Sequence, residues 1–123
     1  MTDEEFKAYL NGLGWAEHVW RDGKQGLIDR WARFVREVET GFCPNCLFEE
    51  YQNDLDIRLA IRVACLDEEV KYWDARFVAM LARHDIRVRC AEREIVDDFW
   101  NFGYPRNASG YFLREIRERF GDP

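Results

Sequence analysis

Apolar residues recur every three or four positions along most of the chain, which is the spacing of one face of an α-helix. The clearest series lies between residues 24 and 40 and comprises Leu27, Trp31, Phe34 and Val38. Residues 15–22 are expected to form a connecting turn. The helices predicted from the apolar series are 3–13, 24–40, 45–65 with a break near residue 53, 67–83, and a last helix that holds residues 112–120.

Polar residues at the expected helix starts support these boundaries. Thr2 and Glu5 have the spacing of a capping box, in which each side chain binds a backbone N–H near the start of the helix. Asp67 is predicted to cap the fourth helix, and either Asn107 or Ser109 is predicted to cap the last one. Each cap would satisfy backbone donors that have no partner inside the helix.

The segment between the last two predicted helices has a mixed pattern. Residues 86–90 alternate apolar and charged side chains as a strand does, whereas residues 88–99 carry apolar side chains at helical spacing. We favour a helix over 91–99, because the sequence predicts no second strand to pair with the first. Residues 99–105 are aromatic-rich and irregular. The sequence therefore predicts an all-α fold: one compact domain over 1–123, a bundle of about five helices with an irregular aromatic segment before the last.

Composition and charge narrow the class of partner. The 123 residues include 24 acidic and 18 basic side chains, for a net charge of −6. This charge argues against nucleic acid and against an anionic membrane surface, since both attract a surplus of Lys and Arg. The longest apolar run has six residues, 77–82, whereas a membrane span needs about 20. The first residues are acidic, unlike an export signal, so we expect a cytoplasmic protein.

Cys43 and Cys46 form the sharpest chemical motif of the sequence, a C-x-x-C at the expected start of a helix. Two thiolates at this spacing can bind one zinc ion, but a closed site needs two further ligands. A helix start also lowers a thiol pKa, which would suit redox chemistry. We favour simple packing of the thiols and predict no cofactor; Cys43 and Cys46 are the ligands if a metal is bound. The remaining cysteines and histidines form no second pair of this kind: Cys65, Cys90, His18 and His84.

Four acidic residues on the third predicted helix are the other candidates for chemistry: Glu49, Glu50, Asp54 and Asp56. Glu50 and Asp54 lie one helical turn apart, and paired carboxylates can transfer protons or bind a metal. Asp54 is also one turn from Arg58, so a salt-bridged face is the favoured interpretation. The single serine leaves no Ser-His-Asp triad, and no phosphate-binding loop is present. Whether the protein is an enzyme stays open, with a non-enzymatic role favoured.

An aromatic cluster carries the functional prediction: Phe99, Trp100, Phe102 and Tyr104. Exposed aromatic residues on a rigid loop are typical of interaction hot spots, although the segment would also suit a lid folded over the helix ends. We predict a non-enzymatic module that binds an unidentified protein partner, with the charge of an acidic immunity-type inhibitor. The alternatives are a metal-binding or thiol-redox protein using the cysteine pair, and a homodimer that buries the aromatic segment.

One short segment resembles a known group of proteins. Residues 50–58 are E-Y-Q-N-D-L-D-I-R after a Trp-containing helix, and residues 100–105 form an aromatic, proline-bearing segment before a short final helix. In these features the chain resembles small bacterial proteins of unknown function that share an E-Y-x-N-D-L-D-x-R-like segment, over about residues 27–118. The resemblance implies a bacterial, soluble, helical protein and brings no established activity.

Overall fold

The described part of the protein is helical. The structure is a computed structural model, and it describes residues 1–41, 48–81, 105–107 and 110–120. Over these ranges there is no strand, and the one β-type contact is an isolated antiparallel bridge between Leu81 and Pro105. The predicted all-α fold is confirmed. The elements are α1 (Asp3–Gly12), α2 (Glu17–Trp20), α3 (Gly23–Gly41), α4 (Phe48–Val63), a 3₁₀ turn (Asp67–Val70), α5 (Lys71–Ala79) and α6 (Gly110–Phe120).

The start of α1 has the predicted capping box. The Glu5 N–H donates to Thr2 Oγ1 at 3.2 Å, and the Thr2 N–H donates to Glu5 Oε1 at 3.3 Å. The hydrogen bond from the Thr2 backbone lowers the pKa of Glu5, because it stabilises the carboxylate. One turn apart on the inner face, Phe6 and Leu10 are fully buried and attach α1 to the core.

Helix α3 is the central element, because α1, α2, α4 and α5 all pack against it. The ring centroids of Trp31 and of Phe77 in α5 lie 5.1 Å apart, in an edge-to-face arrangement. Tyr51 of α4 makes a similar contact with Phe112 of α6 at 5.3 Å. Phe34 of α3 links the two pairs, because its ring centroid lies 6.1 Å from that of Tyr51. Together these aromatic contacts join four helices into one core and add to the energy of apolar burial. The side chains that α3 buries form a broad stripe: Leu27, Trp31, Ala32, Phe34, Val35 and Val38.

The segment before α3 and the end of α4 differ from the sequence-based prediction. Residues 17–20 form the short helix α2 instead of a turn: Val19 is buried, and the Trp20 indole N–H donates to the Trp15 carbonyl at 3.0 Å. Helix α4 is continuous through Asn53 and ends at Val63, before its predicted end at residue 65. Cys65 has φ 61°, a left-handed conformation that cannot continue a right-handed helix.

The predicted cap at Asp67 is wrong, and of the two alternatives for the last helix the structure excludes Asn107. Asp67 begins a 3₁₀ turn without a side-chain cap, because its carboxylate turns towards Arg58. Helix α5 ends at Ala79 instead of residue 83. Helix α6 begins at Gly110, and Asn107 does not cap it. The side-chain amide of Asn107 donates instead to the Val38 carbonyl of α3 at 2.7 Å. Ser109 and the predicted helix 91–99 lie outside the described residues.

Candidate functional site

A buried ion cluster joins α3, α4 and α5. Arg58 is 2% exposed and is the buried charged side chain of the described core. Its Nε donates to Asp74 Oδ1 at 2.9 Å and its Nη2 to Asp74 Oδ2 at 2.8 Å, while Asp67 Oδ1 lies 2.6 Å from Nη2. The Trp31 indole N–H donates to Asp74 Oδ1 at 3.0 Å. We refer to Trp31, Arg58, Asp67 and Asp74 as the buried ion cluster.

Arg58 forms ion pairs from a buried position, and Asp67 and Asp74 lie on other elements than its own helix. Residues 57–61 are buried in succession, so this part of α4 is enclosed on all sides and has no solvated face. A buried guanidinium is tolerated only when anions and hydrogen bonds compensate its lost hydration. Asp74 supplies a bidentate contact of the kind that Arg favours. The cluster therefore fixes α5 against both α3 and α4.

Helix α5 presents two aromatic rings on its outer side. Tyr72 is 65% exposed, and its ring lies edge-to-face with Trp73 at 5.1 Å. The Arg76 guanidinium lies 5.1 Å from the centroid of Tyr72 and 4.6 Å from that of Trp73. From α3, Arg36 covers Trp73 at 5.2 Å. We refer to Arg36, Glu39, Tyr72, Trp73 and Arg76 as the arginine–aromatic surface.

An ion pair with α3 holds Arg76 in place on this surface. Arg76 Nε donates to Glu39 Oε2 at 2.8 Å, Nη2 makes a second, short contact with Oε1, and Nη1 donates to Tyr72 Oη at 3.0 Å. The hydrogen bonds from Arg76 lower the pKa of Glu39, and those to Glu39 and Tyr72 raise the pKa of Arg76. These contacts hold the guanidinium in one orientation, within cation–π distance of both rings.

The sequence did not indicate this surface, because its pattern assigned Trp73 to the core. The ring is only half-buried and packs against the core from outside. A local signal was present, since Tyr72 and Arg76 lie one helical turn apart and Trp73 lies three residues before Arg76. The contribution of Glu39 required knowledge that α3 packs beside α5, across 37 residues of sequence.

The residues singled out from the sequence fall into two groups. The predicted partner-binding residues Phe99, Trp100, Phe102 and Tyr104 lie outside the described residues, as do Cys43, Cys46, His84 and Cys90. The side chains of Glu49 and Glu50 are likewise not described. The aromatic anchor, the lid and the metal or redox alternatives consequently stay predictions.

The second group is placed by the structure. Asp54 and Asp56 line one groove together with His18, whose side chain is exposed. Cys65 has an exposed, free thiol. Within the ranges that the structure describes, no three His, Cys, Asp or Glu side chains come together in a group that would hold a metal ion. The helices described there also include none with the length and apolar content of a membrane span.

Comparisons with known proteins give no match: no family model fits the chain, and no curated protein or solved structure is significantly similar to it. The resemblance of residues 50–58 to small bacterial proteins therefore stays a prediction. The proposal for the function therefore rests on the geometry of the described residues.

Proposed function

We propose that the protein is a non-enzymatic interaction module that docks a partner protein on its arginine–aromatic surface. One observation carries the proposal: Tyr72 is 65% exposed, yet Arg76 holds it by a cation–π contact and a hydrogen bond to its hydroxyl, and Arg76 is itself fixed by Glu39. Trp, Tyr and Arg are the residues that dominate binding energy at protein interfaces. Rings that are ordered in the free protein lose little conformational entropy on binding, so more of the contact energy appears as affinity.

The charge of the chain favours a basic protein as the partner. The net charge is −6, and the 3₁₀ turn that precedes Tyr72 carries the exposed acids Glu68 and Glu69. A basic partner would be attracted by the net charge of the whole chain, which speeds the encounter. An acidic inhibitor of a basic enzyme, of the immunity type, has this arrangement. We also propose a cytoplasmic location, where a reducing environment would keep the exposed thiol of Cys65 free.

Site-specific photo-crosslinking tests the surface directly. A photoreactive phenylalanine analogue replaces Tyr72, and a matched protein carries it at Tyr111, which is 52% exposed and stacks on Arg114 at 5.3 Å. We expect position 72 to crosslink one basic protein in extracts of the native cell, and position 111 not to. Equal products at both positions, or none at 72, would overturn the proposal, as would crosslinking of position 72 to a second copy of this chain.

The affinity of the purified partner then gives the contribution of the ring. Tyr72→Ala removes an exposed side chain, so the fold should be retained, and an interface hot spot of about 2 kcal/mol predicts a Kd about 30-fold higher. Tyr111→Ala should leave the Kd unchanged. Added salt should slow the association of both variants with the partner, since charges at the rim of the interface steer the encounter. A Kd that is the same for the two variants would contradict a docking role of Tyr72.

A further inference from the structure

A separate groove runs between α2, the outer side of α3 and the first half of α4. The volume of this open groove is about 370 Å³, within the range of about 300–1,000 Å³ that small-molecule sites span. Its walls combine apolar and charged side chains: Trp15, His18, Val19, Arg30, Asp54 and Asp56. We refer to it as the Arg30 groove. It shares no residue with the arginine–aromatic surface, so ligand binding in the groove is independent of the proposed docking function.

Arg30 is the central cation of this groove. Two shallower concavities adjoin the groove, and Arg30 lines all three. Its Nη1 donates to the His18 carbonyl at 2.7 Å, and the described part of the chain gives it no carboxylate partner within ion-pair distance. Burial and the neighbouring Arg33 lower the pKa of Arg30, even though Asp54 acts in the opposite direction. Among the described residues, the hydrogen bond to His18 leaves the guanidinium with N–H groups that can donate to a ligand anion.

The acidic residues that line the groove determine which class of anionic ligand it can bind. Asp54 and Asp56 are both partly buried and line the same groove as Arg30. Both acids also interact within the protein, but a carboxylate accepts several hydrogen bonds, so the ammonium group of a ligand can add a contact to theirs. A ligand whose own cation lies beside its carboxylate therefore suits this mixture of charges better than a multiply charged phosphate does. The guanidinium of Arg30 has the planar fork that pairs with a carboxylate. Trp15 and Val19 add an apolar wall that suits a hydrocarbon side chain.

We propose that the Arg30 groove binds a small zwitterion of the amino-acid class, with its carboxylate on Arg30 and its ammonium group beside Asp54 or Asp56. The apolar wall then contacts the side chain of the ligand and selects among amino acids. The three features of the groove, one fork-shaped cation, two acids and an apolar wall, each receive one part of such a ligand.

Titration followed by protein NMR tests the proposal with defined probes. The twenty amino acids are added singly, and acetate, methylamine and inorganic phosphate are added as partial or competing ligands. We expect at least one amino acid to saturate with a Kd near or below about 1 mM and to shift the indole N–H of Trp15. Acetate and methylamine should each bind at least about tenfold more weakly, because each makes only one of the two charged contacts.

Variants then assign the contacts to residues. Arg30→Gln and Asp54→Asn should each raise the Kd at least about tenfold, and Arg30→Lys should not restore it, because lysine lacks the fork. Arg114→Gln, on an exposed arginine of α6, is the matched control and should bind as the original protein does. Far-ultraviolet dichroism verifies that each variant is folded. Tighter binding of phosphate than of any amino acid, no saturable amino acid, or unchanged binding by Arg30→Gln would each overturn the proposal.

Discussion

The buried ion cluster gives the sharpest test of how the three helices are held together. Asp74 accepts two hydrogen bonds from Arg58 and one from Trp31, and Arg58 is 2% exposed. Asp74→Ala removes all three acceptor contacts and leaves the guanidinium buried. We expect this single change to be among the most destabilising polar substitutions available in the described part of the chain.

The magnitude depends on the contacts that remain after the substitution. Removing one partner of a buried ion pair costs about 3–5 kcal/mol. Asp67 still lies 2.6 Å from Nη2 of Arg58, and the side chain of Asp74 is 22% exposed, so we expect the lower end, about 3 kcal/mol. For a chain of this length that corresponds to a fall in Tm of about 12 °C. Small domains have a total stability of only about 5–15 kcal/mol, so the loss is readily measured.

Urea unfolding followed by tryptophan fluorescence is the assay, with the slope m verified to be unchanged. Glu68→Gln is the matched control: Glu68 pairs with Lys71 at 2.7 Å, but both side chains are exposed, so the cost should stay below about 1 kcal/mol. A second comparison uses Arg58→Met together with Asp74→Ala, which should lose less than the sum of the two single changes. If Asp74→Ala cost no more than Glu68→Gln, or if the double variant were additive, the cluster would not hold α5 in the way described.

Two further predictions concern backbone and cap. Cys65→Gly should stabilise the protein by up to about 1 kcal/mol, because Cys65 has φ 61° and glycine adopts this conformation without strain. The control is Ala75→Gly, in the exposed middle of α5, which should destabilise the protein by about 1 kcal/mol. Thermal unfolding measures both, and a loss of stability in Cys65→Gly would contradict the strain. Thr2→Ala should cost about 1 kcal/mol near neutral pH. The pH dependence belongs to Glu5, whose carboxylate accepts from the Thr2 N–H: because its folded pKa is lowered, its contribution is present above its ordinary pKa and disappears as the pH falls through the lowered value. Unfolding curves of a Glu5→Ala variant should therefore approach those of the original protein in acid; an equal difference at every pH would refute this.

The elements that the sequence predicts well are those with a strong local signal. Helix α1 has a capping box, and α3 has a broad apolar stripe, so both are located to within a few residues. In α2, four residues are too few to show a period, and the helix depends on tertiary contacts such as the burial of Val19. In α4, residues 57–61 are buried on every side, so the amphipathic pattern fades and Arg58 looks like a surface residue.

The candidate site was less predictable than the fold, because its charges pair over long sequence distances. Asp74 and Arg58 are 16 residues apart, and Trp31 donates to Asp74 across 43. No helical periodicity relates such positions, so local pairing rules point instead to near neighbours such as Asp54 and Arg58. Composition is a weaker guide to these pairs. The chain has fifteen arginines and 24 acidic residues, and arginine favours bidentate pairs with carboxylates, but these counts do not indicate which residues meet.

The charge state of the arginine–aromatic surface follows from its ion pair and agrees with the proposed docking role. A general acid or base works best when its pKa lies near the working pH, so that it can both lose and gain a proton. Here the contact between Glu39 and Arg76 moves both groups the other way: the pKa of the acid falls and that of the guanidinium rises. Neither group then exchanges protons near neutral pH. What the pair provides is a fixed, stacked platform for Tyr72 and Trp73, and a fixed aromatic platform is useful for recognising another protein.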